Sequence, residues 1–110
     1  GGRLTGKYIN NQKPKNSRYT LWPRRFSRHH TERGEVAIEK YVKVAQKYNI
    51  APATFANAFV NERPFVTSNI IGATTMNQLK ENIDSIDIKL TKEILTDIEN
   101  IHLSDPNPCV

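Results

Sequence analysis

A single cysteine, a single tryptophan and a single methionine occur in this chain of 110 residues, and the first scarcity already removes a class of protein. One cysteine, Cys109, cannot form an internal disulfide, so the framework of a small cross-linked secreted domain is excluded and a reducing cytoplasm is the expected location. No run approaches the roughly 20 consecutive apolar residues that a membrane-spanning helix requires. The opening Gly1-Gly2-Arg3-Leu4-Thr5-Gly6-Lys7 likewise lacks the apolar centre of a secretory signal, so no membrane partner is expected. Internal repeats are missing too. His29 and His30 stand side by side without a third ligand at useful spacing, which predicts no metal site. No nucleophile, base and orienting group form a recognisable catalytic set. The first residue is Gly rather than Met, and the expectation is a processed chain or part of a longer one.

What is present is 37% hydrophobic and 25% charged, the composition of one globular domain. The net charge is +5, unevenly spread. Residues 1–33 hold nine Lys and Arg against Glu32 alone, a local +8, and the rest of the chain carries −3. A basic front joined to a mildly acidic body predicts an anionic partner at the front: nucleic acid, a phosphorylated small molecule or an acidic surface.

Residues 1–33 show no lasting periodicity and read as a long basic loop. The pattern changes over 34–49, where Ala37, Ile38, Tyr41, Val42, Ala45 and Tyr48 recur at spacings of three and four, one apolar stripe on a helix that Asn49 stops. Pro52 opens a second helix, with Ala53, Phe55, Ala56, Phe59 and Val60 inward, and Arg63-Pro64 ends it. Residues 66–71 read as a strand closed by Gly72. Thr75 and Gln78, three apart, predict a capping box at the start of a third helix. Ile86, Ile88 and Leu90 alternate along an extended link, and Thr91 caps a fourth helix running from Lys92 to about His102.

Four helices and one strand do not make a self-sufficient sheet. A lone strand among helices leaves its amides and carbonyls without partners, which is costly. Strand, glycine, small polar residues and a capped helix are the order of a βα unit whose turn faces a ligand. The expectation is therefore that the missing strands precede Gly1.

The segment Ile70-Ile71-Gly72-Ala73-Thr74-Thr75-Met76-Asn77-Gln78-Leu79-Lys80-Glu81-Asn82 resembles the nucleotide-binding end of the aldo-keto reductases, particularly the bacterial and potassium-channel β-subunit branches. There a Gly-x-[Ser/Thr]-x-x-x-Gln-x-x-Glu-Asn run follows the last barrel strand. Gly2-Arg3-Leu4-Thr5-Gly6-Lys7-Tyr8 resembles the turn after the seventh strand, and Ser17-Arg18 the next phosphate-side contact. The two matches stand in family order and cover essentially the whole chain.

The resemblance implies an α/β fold, the carboxyl-terminal part of a (β/α)8 barrel, helix-rich over 1–110, with 1–33 as a basic loop and 34–110 as the last helices and strand. It implies NADP as cofactor, a small carbonyl substrate, and upstream barrel strands as the packing partner. The implied cofactor-binding residues are Gly2, Thr5, Lys7, Arg18, Gly72, Thr74, Gln78, Glu81 and Asn82. Their chemistry agrees with that role. Gly72 would let backbone approach a nucleotide and take dihedrals a side chain opposes. Thr74 and the opening amides of the following helix would receive a phosphate, with Lys7 and Arg18 as cationic donors. Gln78, Glu81 and Asn82 would share a helix face toward the adenosine half. Gln78 stands where many reductases of the fold carry Arg, so selection of NADP over NAD rests on Lys7 and Arg18. The family's catalytic Asp, Tyr, Lys and His belong to earlier strands, so this segment contains no catalytic residue and is expected to be inactive alone. Without the resemblance, Glu81 and Asn82 read as solvated helix surface and Gly72 as a simple turn. The alternative is a small basic helical module that binds nucleic acid through Arg24, Arg25 and Arg28, with Trp22 and Phe26 interleaved.

Overall fold

The computed structural model of the chain describes residues 1–25 and 29–109. Phe26 and Arg28 of the basic, aromatic stretch lie outside the described residues. The helices are α1 (Arg18–Leu21), α2 (Glu32–Lys47), α3 (Pro52–Asn61), α4 (Met76–Asp84) and α5 (Lys92–Ser104), with 3-10 turns at Arg3–Thr5, Ile9–Asn11 and Ser85–Asp87.

The ends of the long helices follow local chemistry. The Thr31 hydroxyl accepts from the Gly34 amide at 2.9 Å, so α2 begins two residues before the expected start at Gly34. Its other end is stopped as the sequence predicts. Asn49 takes φ 55°, its amide donates to Gln46 O at 3.0 Å, and the Ile50 amide reaches back to Ala45 O at 2.9 Å, a Schellman closure with Asn in the left-handed position. Pro52 sits in the first turn of α3, where its missing N–H costs nothing, and Ala51 supplies no side-chain cap. Thr91 caps α5 by accepting from Ile94 N at 3.3 Å.

α2 packs on α3 and α5, and α3 packs on α4, the Ser85–Asp87 turn and the Arg3–Thr5 turn. The core joins Ala45 of α2, Phe55 and Ala58 of α3, and Leu90, Ile94 and Ile98 from the α5 side. Ala45 and Ala58 are fully buried, small residues that let helices approach closely. Burying Phe55 contributes about 1.5–3 kcal/mol relative to leaving it in water. On the far side, Lys47 Nζ and Tyr48 Oη both donate to Asp97 Oδ2 at 2.8 Å and tie the end of α2 to α5.

Three expectations are corrected. Residues 66–71 form no strand, and none is present among the described residues. Val66 N bonds Arg63 O at 3.0 Å within a turn, and a ladder needs a second strand that the described residues do not supply. The front is not featureless: two 3-10 turns and α1 fold it onto the bundle, burying Arg3, Tyr8 and Tyr19. The link through Ile86 is not extended throughout either, because Ser85–Asp87 winds into a 3-10 turn and leaves Ile86 exposed while Leu90 enters the core.

Candidate functional site

The front arm is built around two glycines with left-handed dihedrals. Gly2 has φ 80° and Gly6 φ 78°, values a side chain would strain, and they bracket the Arg3–Thr5 turn. The Thr5 hydroxyl donates to Gly2 O at 2.7 Å and accepts from Lys7 N at 3.4 Å, so the arm ties itself together. Lys7 folds back toward Gly2, its ammonium 5.2 Å from the Tyr8 ring centroid. Tyr8 meets Tyr19 edge to face at 5.0 Å, and Tyr19 meets His30 the same way at 4.6 Å. Burial pushes the Tyr8 pKa up, but its hydrogen bonds to Ser17 and the Tyr19 amide, with the charge of Lys7, outweigh burial and leave it below its ordinary value.

Arg3 fastens this arm to the helices. Its guanidinium lies 5.2 Å from the Tyr19 ring centroid, bonds His30 Nδ1 at 3.0 Å through Nη1 and pairs with Glu35 through Nη2. It is 8% exposed, and its Nε is the one buried side-chain polar atom without a partner among the described residues.

Beside the arm lies an open cleft of about 480 Å³. Gly2, Arg3 and Thr5 form one wall; Ala37, Ile38 and Tyr41 of α2 provide an apolar floor. Asn57 of α3, residues 70–72 and Asn82 of α4 also line it. Pro108 and Cys109 complete the rim, where the Cys109 sulfur packs near Gly34 and lies 4.0 Å from His29 O. Of the nine residues singled out in sequence, Gly2, Thr5, Gly72 and Asn82 line this cleft, while Lys7, Arg18, Thr74, Gln78 and Glu81 do not.

The second motif departs in detail from its expected geometry. Gly72 has no left-handed φ, and a Cβ built there would meet nothing within 4 Å, so the dihedral reason for glycine fails and only close approach by an incoming group remains. Thr75 accepts from Gln78 N at 3.2 Å, half of the expected capping box. The other half is displaced by one residue, because Gln78 Oε1 accepts from Thr74 N at 2.9 Å and Thr74 Oγ1 at 3.0 Å. Gln78, Glu81 and Asn82, at spacings of three and four on α4, share a helix face but take different partners. Gln78 caps the turn, Glu81 accepts from Thr54 Oγ1 at 3.4 Å, and Asn82 enters an amide network with α3. Arg18 begins α1, exposed, away from the cleft lining.

That network escaped the sequence reading. Asn82 Nδ2 donates to Gly72 O at 3.2 Å, and Asn57 Nδ2 donates to Asn82 Oδ1 at 2.8 Å. Asn69 Nδ2 lies 3.5 Å from Asn57 Oδ1 and 3.1 Å from Asn61 Oδ1. Asn61 Nδ2 donates to Ser85 Oγ at 3.1 Å, and the fully buried Ser85 hydroxyl donates to Asn82 O at 2.6 Å. The available signal was Asn57 and Asn61 four apart, hence neighbours on one helix face. No group of three His, Cys, Asp or Glu among the described residues is placed to hold a metal ion. No helix among them is long and apolar enough to cross a membrane.

The chain belongs to the aldo/keto reductase family, whose family model matches residues 1–102. Protein tas of Escherichia coli is 46% identical over 101 residues, covering 92% of this chain and 29% of that protein. An aldo-keto reductase of Babesia bovis is 36% identical over 85 residues, covering 76% of this chain and 30% of that protein. A putative voltage-gated potassium channel subunit beta of Schizosaccharomyces pombe is 32% identical over 106 residues, covering 91% and 30%. The chain thus spans about 30% of the length of these relatives.

Proposed function

We propose that the complete protein is an NADP(H)-dependent reductase of small carbonyl compounds, in which this chain is the carboxyl-terminal part of a (β/α)8 barrel and holds the adenosine end of the cofactor. The observation that carries the reading is the meeting of two segments distant in sequence, the Gly2–Thr5 region and residues 70–72 with Asn82, on one cleft. The donor set suits a dinucleotide phosphate. Lys7 beside Gly2 and Arg18 at the start of α1 do not line the cleft, and in this reading they reach the phosphate from the arm next to it. Gly72 leaves room for close approach and the exposed opening of α4 offers further donors, whereas both donors of Thr74 are held by Gln78 Oε1. Asn82, flanked by Glu81, presents an amide to the base.

When bound, the cofactor supplies a hydride to the carbonyl carbon; this chain's share is to bind and orient its far end, while proton transfer belongs to residues outside the chain. Selectivity for the phosphorylated cofactor comes from Lys7 and Arg18, since Gln78 is uncharged and occupied with Thr74. A cytoplasmic location accompanies this reading.

Titration of the intact protein with NADPH tests it. Lys7→Ala and Arg18→Ala are each expected to raise the NADPH dissociation constant about tenfold, the loss of roughly 1.4 kcal/mol of charge-assisted bonding. NADH binding should change less for whichever cation meets the 2′-phosphate. An intact protein that ignores NADPH, or binds nucleic acid in a salt-steep manner through Arg24 and Arg25 instead, overturns the proposal.

A further inference from the structure

The amide network between α3 and α4 has only one consistent direction. Gly72 O can only accept, so Asn82 must turn its NH2 toward it, and its Oδ1 then faces α3. Asn57 must therefore offer its own NH2 to that oxygen, at 2.8 Å, and turn its Oδ1 toward Asn69. At the other end Ser85 donates to Asn82 O at 2.6 Å, which leaves its oxygen to accept from Asn61. Two backbone carbonyls, both unable to donate, pin the orientation of every side chain between them.

Its bonds to Gly72 O and from Asn57 leave Asn82, which lines the cleft, one N–H and one lone pair of its side-chain amide uncommitted. Those are the two groups that can pair with adenine, a lone pair for its amino group and an N–H for a ring nitrogen. Were Asn82 free to rotate its amide by a half turn, donor and acceptor would exchange places and the match would be lost. From this geometry we infer that Asn57 is a positioning residue: its bond at 2.8 Å, shorter and less exposed than the one to Gly72 O at 3.2 Å, joins Gly72 O in holding the rotation of the Asn82 amide and so strengthens the preference of the cleft for an adenine over a hypoxanthine base. The inference rests on the proposed role of Asn82 at the adenosine end.

The test uses the intact protein and two probes, NADPH and its hypoxanthine analogue, which carries oxygen in place of the amino group. Asn57→Leu removes the donor to Asn82 at similar volume. It is expected to weaken NADPH binding about tenfold while leaving the analogue nearly unchanged, so the ratio of the two constants collapses; KM for NADPH rises with kcat retained. Asn82→Ala should do the same, and the double variant should be no worse than Asn82→Ala, since Asn57 acts only through Asn82. A merely structural Asn57 would lower the melting temperature without moving the base ratio, and that result overturns the inference while leaving the cofactor site standing. If Asn82→Ala itself leaves the ratio intact, the assignment of Asn82 fails and the inference with it. Should Asn57→Leu not fold, Asn57→Asp serves: an ionised carboxylate can only accept, draws the Asn82 NH2 away from Gly72 O, and should also erase the base preference.

Discussion

Arg3 shows how a single side chain can carry a whole segment. Its guanidinium stacks beside Tyr19, pairs with Glu35 and donates to His30 Nδ1, three attachments that a lysine's point charge could not reproduce together. The bond to His30 requires a neutral imidazole. Burial lowers the His30 pKa, Arg3 lowers it further, and Glu35 opposes them without prevailing. A histidine whose pKa is depressed by folding contributes stability that is complete above its unfolded value of about 6.5 and is lost as the pH falls through the window beneath. The stability of the wild type relative to His30→Gln should accordingly decline as the medium is acidified from neutrality, read by urea unfolding of both proteins at a series of pH values. A difference independent of pH would refute this.

Elements were legible in the sequence wherever spacing and capping agreed. The stripe from Ala37 to Tyr48, the stop at Asn49, Pro52 in the first turn of α3 and the Thr91 cap all reappear in place, because each is decided by residues within one or two turns. Thr31 as the cap of α2 was missed since the apolar stripe begins only at Ala37, after the helix has started. The strand at 66–71 failed for a different reason: a strand is a relation between two segments, and β-branched residues alone cannot create the second. Of the candidate site, the two ordered motifs were readable and do border one cleft. The Asn57 to Ser85 network was not, because hydrogen-bond direction between helices depends on their docking and leaves only a faint spacing signal. The α2–α5 tie also depends on docking, and it is testable. Hydrogen bonds from Lys47 and then Tyr48 hold the Asp97 carboxyl below its ordinary value of 3.8. A depressed carboxyl pKa contributes stability that is present above the unfolded value and lost as the pH falls toward the folded one. Wild type should therefore exceed Asp97→Asn in thermal midpoint at neutral pH, with the gap shrinking below about pH 4. A gap that widens on acidification would contradict the pairing.

The described residues expose several large apolar side chains. Phe65 is 82% exposed, Ile70 97% and Met76 77%; they stand just before, within and just after the 66–71 segment that lacks a ladder. In the proposed barrel that segment gains strand neighbours, so its amides should exchange with solvent slowly in the intact protein and rapidly in the isolated 110-residue segment. Hydrogen-exchange mass spectrometry compares the two directly, and equal, rapid exchange in both would count against the barrel. The rim of the cleft bears on biosynthesis. Thr31 holds Pro108 O while Cys109 rests near Gly34, so the pocket beside Gly2 and Thr5 draws its lining from both extremes of the sequence. Within this stretch the arm is synthesised well before Pro108 and Cys109, so the cleft they share gains its full lining only once those two residues have been added.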